Sequence, residues 1–277
     1  MTAMNRISVV IITKNEEKNL GRCLHSVGNI ADEIIVFDSN STDDTLAIAK
    51  SFGAKIYTHP FEGYVKQKNL AIEKASHEWI LSLDADEALS PELEASILAA
   101  KKTPEHNAYE LKRLTNYCGT WIKHCGWYPD KKIRLFRKDH GAWTGDQIHE
   151  RWELYENAGT VGELKGDLLH YSYYSFSDHI KQIEKFTEIA ARAAVAKGKN
   201  CSLIKLWLGP KWRFFTDYVV RLGFLDGYAG YMVCKYSAWA SFAKYSKMRQ
   251  YARLKRVREK VEKNAATYNY QPYGQYR

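Results

Sequence analysis

Apolar runs and helical stretches alternate through the first hundred residues. Residues 7–13 (ISVVIIT) are apolar and rich in β-branched side chains, the composition of a strand covered on both faces. A helical stretch follows over residues 17–26. Residues 33–37 (EIIVF) repeat the strand pattern and run into the turn cluster Asp38-Ser39-Asn40-Ser41. Ser41 and Asp44 have the spacing of a capping box for the next helix. Residues 54–58 predict a third strand, 64–75 a helix and 79–83 a fourth strand. Ser90-Pro91-Glu92 then opens another helix, with serine as cap and proline at the first helical position. This alternation predicts an α/β fold, a mostly parallel sheet with helices on both faces. Residues 108–174 are aromatic and predict short strands and loops, and from Phe176 the pattern is helical to the end. The expected division is therefore 1–175, made of 1–100 and 101–175, followed by a helical region, 176–277.

Composition sharpens the helical region more than the first. With 277 residues, 45% of them hydrophobic, the chain has enough apolar material for a core, and global disorder is excluded. The net charge of +9 is unevenly placed: residues 244–263 hold nine Lys or Arg against two Glu. Such an end implies a polyanionic neighbour. Within residues 203–245, Trp207, Trp212 and Phe215 are interleaved with Lys205, Lys211 and Arg213, a pattern that suits an anionic membrane surface. An element for homo-oligomer formation is the other reading. The first apolar run is short and is followed at once by Lys14-Asn15-Glu16-Glu17, unlike a signal peptide. Roughly 18 uncharged apolar residues in a row would be needed for a spanning helix, and none occur. The five cysteines are odd in number and lack C-x-x-C spacing, which argues against a zinc ribbon or disulfide framework.

The polar residues that matter follow the apolar runs. Thr13, Asn15 and Glu16 come after the first strand, Asp38 after the second, and Asp84 and Asp86 after the fourth. Ligands of open α/β sheets bind outside those carboxyl ends. The Asp84-Ala85-Asp86 pair suits a hard divalent cation, Mg²⁺ or Mn²⁺, able to bridge a diphosphate. Neither G-x-G-x-x-G nor G-x-x-x-x-G-K-[ST] is present, and His149-Glu150-Arg151-Trp152-Glu153 is not H-E-x-x-H. Nucleic acid is not an expected partner, because the basic residues sit in the tail while the strand ends are acidic. Arg134 and Arg137 alternate with Leu135 and Phe136, and a strand face carrying both would suit phosphate. Trp121, Trp127, Tyr128 and Trp143 suit either a sugar-binding wall or a core.

The strings ISVVIITKNEEKNLGRCLHSV, EIIVFDSNSTDDT and GYVKQKNLAIEKASHEWILSLDADE, in that order, resemble glycosyltransferase family 2, which has the GT-A fold. The resemblance covers residues 6–100. RLFR at 134–137, IHE at 148–150 and LHYSY at 169–173 resemble the branch containing lipopolysaccharide core β-1,4-glucosyltransferases. The resemblance implies a nucleotide-sugar donor held by Thr13, Asn15, Glu16, Asp38, Lys68, Asp84 and Arg134. It places Asp86 and His170 on the metal. Lys68 stands where the family usually has arginine, which loses the bidentate fork. Glu150 is the expected base, with Asp146 as the alternative, and Trp127 and Tyr128 are expected on the acceptor side. UDP-glucose and a lipid-linked glycan, an inner-core heptose of lipopolysaccharide, are the implied substrates, with a polyprenyl phosphate or a protein as the alternative acceptor. The implied location is cytoplasmic, on the inner face of the cytoplasmic membrane.

Overall fold

The computed structural model describes residues 5–145 and 150–267, the side chains of 265–267 excepted. The chain divides into two compact units, Met1–Tyr174 and Ser175–Arg277.

The first unit contains, in chain order, β1 (Ile7–Thr13), α1 (Leu20–Val27), β2 (Glu33–Asp38), α2 (Thr45–Ser51), β3 (Lys55–Thr58), α3 (Tyr64–Glu73), β4 (Trp79–Asp84), β5 (Glu87–Leu89) and α4 (Pro91–Lys102). It continues with β6 (Ala108–Tyr117), β7 (Thr120–Ile122), β8 (Asp130–Arg137), β9 (Gly141–Thr144), β10 (Arg151–Leu154) and β11 (Val161–Tyr173). The main sheet has the order β3-β2-β1-β4-β8-β6-β11-β5, with β7 against β6. β3, β2, β1 and β4 run parallel. β8 enters antiparallel to β4 and β6, and β6 pairs parallel with β11. The class is α/β with the GT-A arrangement.

Both faces of the parallel strands are apolar because both are covered. Val9, Ile11 and Leu81 pack with Leu24 of α1 and with Leu93 and Ile97 of α4. On the other face Val10, Ile35 and Ile80 pack with Ala71 and Ile72 of α3, together with Trp143 and Trp152. Trp143 is thus a core side chain, 4% exposed, and forms no part of a sugar-binding wall.

Two local expectations are corrected. α2 begins at Asp44 without a side-chain cap. The Ser41 hydroxyl donates instead to Asp38 Oδ1 and accepts the Asn15 N–H at 2.8 Å. The Ser41 oxygen, which a cap would need as acceptor for the helix N–H groups, is taken by the Asn15 N–H while its proton goes to the buried Asp38. The middle region is also not short-stranded: β6 has 10 residues and β11 has 13. A bulge interrupts the β11 register between Glu163 and Asp167, and Gly166, at φ 89°, lies within it. A Cβ at Gly166 would come 2.3 Å from the Leu93 backbone nitrogen at the start of α4.

The second unit consists of α5 (Phe176–Ala196), α6 (Leu203–Phe215), a π-helical turn (Thr216–Val220), a 3-10 turn (Gly223–Asp226) and α7 (Gly227–Thr267). Ser175 caps α5 in a full capping box with Asp178. No helix of the described residues is long and apolar enough to cross a membrane.

Candidate active site

The parallel register brings the predicted strand-end residues together. Thr13 pairs with Asp38 across β1 and β2, and Ile12 with Asp84 across β1 and β4. Asp38 is fully buried, and its carboxylate accepts from the Thr13 hydroxyl at 3.0 Å and the Ser41 N–H at 2.8 Å. Asn15, at φ 55°, accepts the Thr42 N–H at 2.8 Å and so ties the loop after β1 to the loop after β2. The Glu16 carboxylate accepts from Asn19 at 2.8 Å.

Asp84 ends β4 between two cations: Lys68 Nζ is 3.0 Å from Oδ1 and Arg134 Nη2 is 2.7 Å from Oδ2. Burial works against its ionisation, yet Arg134 and Lys68 outweigh that and hold its carboxyl well below the usual carboxylate range. Lys68, 1% exposed, also lies 3.2 Å from Glu150 Oε1 and 4.4 Å above the Trp143 ring. Asn69, its neighbour on α3, holds β9 by two hydrogen bonds of 3.0 Å to the Trp143 backbone. That clamp fixes α3 against the β9–β10 ribbon, and Glu150 directly precedes β10. Arg134, 2% exposed, reaches Glu87 Oε1 at 2.7 Å with the same Nη2 that holds Asp84. Arg113 extends the chain of alternating charge, 3.6 Å from Glu87 and 2.6 Å from Asp130. Buried charges need such partners, since an isolated one would be driven neutral.

The other acidic residues have weaker company. Asp86 Oδ2 is 3.2 Å from His170 Nε2, and both side chains are partly exposed. Burial raises the Asp86 carboxyl, but the adjacent imidazole outweighs it and holds the group below its usual range. Glu16 is pushed up to about 6 by burial, against the Asn19 hydrogen bond, and Asp86, Asp43 and Asp84 add repulsion. The Tyr64 hydroxyl is raised by burial and then by Asp84, Glu150, Asp86 and Glu16, which places α3's first residue in the same negative field. Asp86 and His170 supply one carboxylate and one imidazole, donors suited to Mn²⁺ or Mg²⁺ with further positions left for phosphate oxygens and water. Asp84 is held by its two cations. Among the described residues no group of three or more His, Cys, Asp or Glu has metal-holding geometry.

Arg137 does not join Arg134. The strand period is two, so residues three apart face opposite ways. Arg137 pairs with Glu78 at 3.1 Å, beside Trp79 at the other end of β4. On the expected acceptor side, the half-buried Trp127 packs on Tyr117 and Tyr173. The Tyr128 hydroxyl donates to Asp167 at 2.9 Å, and burial with that hydrogen bond pushes it up to about 12. Asp146 lies outside the described residues. Glu87, Arg113 and Tyr64 were not singled out from the sequence. Glu87 stood in plain view, one residue after Asp86, but its role depends on the distant Arg134.

The family model described as glycosyl transferase family 2 matches residues 8–152. The chain belongs to glycosyltransferase family 2. An uncharacterized glycosyltransferase of Rickettsia typhi is 34% identical over 89% of this chain and 88% of its own length. The lipopolysaccharide core biosynthesis glycosyltransferase LpsC of Rhizobium meliloti is 31% identical over 80% of this family 2 chain and 82% of its own. A solved glucosyl-3-phosphoglycerate synthase of Mycobacterium tuberculosis, in complex with Mn²⁺, uridine diphosphate and glucosyl-3-phosphoglycerate, is 25% identical with a TM-score of 0.35. That likeness spans 40% of this chain and 44% of the synthase, too little to carry a functional argument.

Proposed function

We propose that this family 2 enzyme is an inverting, metal-dependent hexosyltransferase that moves glucose from UDP-glucose onto a lipid-linked glycan, an inner-core heptose of lipopolysaccharide. The observation that carries the reading is the buried Lys68 ammonium, 3.0 Å from Asp84 and 3.2 Å from Glu150. One cation joins the strand end read as the donor side to the candidate base, which supports a shared site for both halves of the reaction. The similarity to a lipopolysaccharide core glycosyltransferase and the LHYSY and IHE motifs support the acceptor. The enzyme would work in the cytoplasm, at the inner face of the cytoplasmic membrane.

In this reading Thr13, Asn15, Glu16 and Asp38 shape the nucleoside pocket at the ends of β1 and β2. Asp86 and His170 would hold a divalent cation, whose chemistry would be to supply positive charge to the diphosphate. Glu16, Asp84 and Asp86 form an acidic rim that would otherwise repel that group. Lys68 and Arg134 fix Asp84 before any ligand arrives, so no reorganisation is needed when charge develops. Glu150 accepts the proton of the acceptor hydroxyl as its oxygen bonds to the anomeric carbon. The bond from that carbon to the diphosphate breaks on the opposite face, and the configuration inverts. Trp127 and Tyr128 offer faces and edges to the acceptor sugar.

Glu150→Gln tests the assignment. Donor binding, read as the thermal shift with UDP-glucose and Mn²⁺, is expected to persist, while turnover falls by roughly 10²–10⁴. Turnover near that of the native enzyme removes Glu150 from the role.

A further inference from the structure

The helical unit displays apolar surface that its own packing leaves open. α5, α6 and α7 close on a small core that includes Ala191, Val195, Leu206 and Met248. On α6 the exposed apolar residues recur four apart: Ile204, Leu208 and Trp212 on one row, Leu203 and Trp207 on the next. Ile204, Trp207 and Trp212 are 73%, 60% and 68% exposed. The surface continues past the end of α6. Val219, Val220, Leu222, Phe224 and Leu225 stand exposed in and between the two turns, and Tyr228 in the first turn of α7 is 68% exposed.

These side chains are held outward. Leu222 and Gly227 take φ 55° and 62°, which bends the chain sharply back. Gly230 of α7 sits so close to the turn that a Cβ would come 2.0 Å from the Gly223 carbonyl oxygen. The turn therefore packs its backbone closely on α7 at Gly230.

The charge of the segment completes the picture. Residues 203–228 contain four cations, Lys205, Lys211, Arg213 and Arg221, and two carboxylates, Asp217 and Asp226. Asp217 is fully buried between Arg213 and Arg221, its Oδ1 2.9 Å from the latter. That clamp covers the carboxylate and leaves the guanidinium edges and both lysines facing water. A broad apolar surface on a folded chain marks an interaction site. Trp, Phe and Leu bordered by Lys and Arg, on helices too short and too charged to span, match the boundary between anionic headgroups and acyl chains.

We propose that the exposed face of α6 and the 216–226 turns seat in the surface of an anionic lipid bilayer, lying in its plane. This extends the reading of a lipid-linked acceptor, and its test uses neither donor nor acceptor, so either idea can fail alone. The experiment is flotation of the full chain with vesicles of phosphatidylcholine, with and without phosphatidylglycerol. The native chain is expected to float with the phosphatidylglycerol vesicles, several-fold more than with phosphatidylcholine alone, and less in high salt. Val220→Asp with Leu225→Asp should lower the bound fraction about tenfold, with helix content unchanged by circular dichroism. Val220→Leu with Leu225→Met should bind as the native chain does. The proposal is overturned if the native chain ignores anionic vesicles at low salt, or if the aspartate variant floats equally well. It is also overturned if the native chain is a dimer that the aspartate variant splits, without vesicle binding, for then a second copy covers the face.

Discussion

In the α/β unit Lys68 and Arg134 are 1% and 2% exposed, whereas in the helical unit Trp212 and Val220 stand 68% and 62% exposed. Each unit inverts the ordinary rule that charge faces water and apolar groups do not. In the first, the cost of burying charge is offset within the protein, by Asp84, Glu87 and Glu150 set around two cations. In the second, apolar surface remains largely open to water among the described residues. The buried charges are therefore paired before a ligand binds, although Arg134 Nε and Nη1 keep no hydrogen-bond partner among the described residues, and the exposed face is left to water. Removing a member of the first should cost stability, and removing a member of the second should cost very little.

The largest effect should come from Arg134→Met. It leaves Asp84 and Glu87 without their shared guanidinium, and a loss of about 3–5 kcal/mol in urea unfolding is expected. A loss below about 1 kcal/mol would mean that water reaches these carboxylates and that the network is not a buried one. His179 gives the next effect, in the helical unit. It is 5% exposed, packs against the Tyr236 ring, and is pushed down to about 4 by burial. The unfolded histidine takes its proton near 6.5 and the folded one only near 4. Its contribution is thus complete above 6.5 and is lost as the pH falls through that interval. Discounted for its partial solvation, the loss should be about 2 kcal/mol, read as a pH-dependent midpoint that His179→Phe flattens. The smallest effect belongs to Trp212→Ser, which should shift unfolding by less than about 0.5 kcal/mol. A clearly larger loss would show that the α6 face is already packed against something, and the contrast between the units would fail.

The sequence makes the strand-end cluster legible because parallel strands covered on both faces read as apolar runs. The polar residue that ends each run then lies at the carboxyl edge of the sheet. Thr13, Asp38 and Asp84 were placed that way, and β1 to β4 appear within a residue or two of their expected limits. The remainder depends on which strands become neighbours. Glu150 lies 82 residues from Lys68, and the Asn69 clamp on Trp143, with the packing of Trp143 and Trp152 beside α3, brings them together. Glu87 and Arg113 find Arg134 only once β5, β6 and β8 share a sheet. β11 escaped notice as a single long strand because Gly162, Gly166 and several charged residues interrupt its pattern, and its bulge shifts the alternation midway. The misreading of Arg134 and Arg137 had a simpler source, since alternation was assigned to positions three apart.

Gly166 bears on more than the backbone around it. Beyond the bulge the pairing resumes with His170 opposite Glu87 and Thr115, and in that register its imidazole reaches Asp86. Side chains change sides at every step along a strand. The aim of the histidine is thus counted out from a residue four positions upstream, where α4 leaves room for nothing but hydrogen. The glycine keeps the bulge tight against α4, and the strand beyond it presents His170 to Asp86.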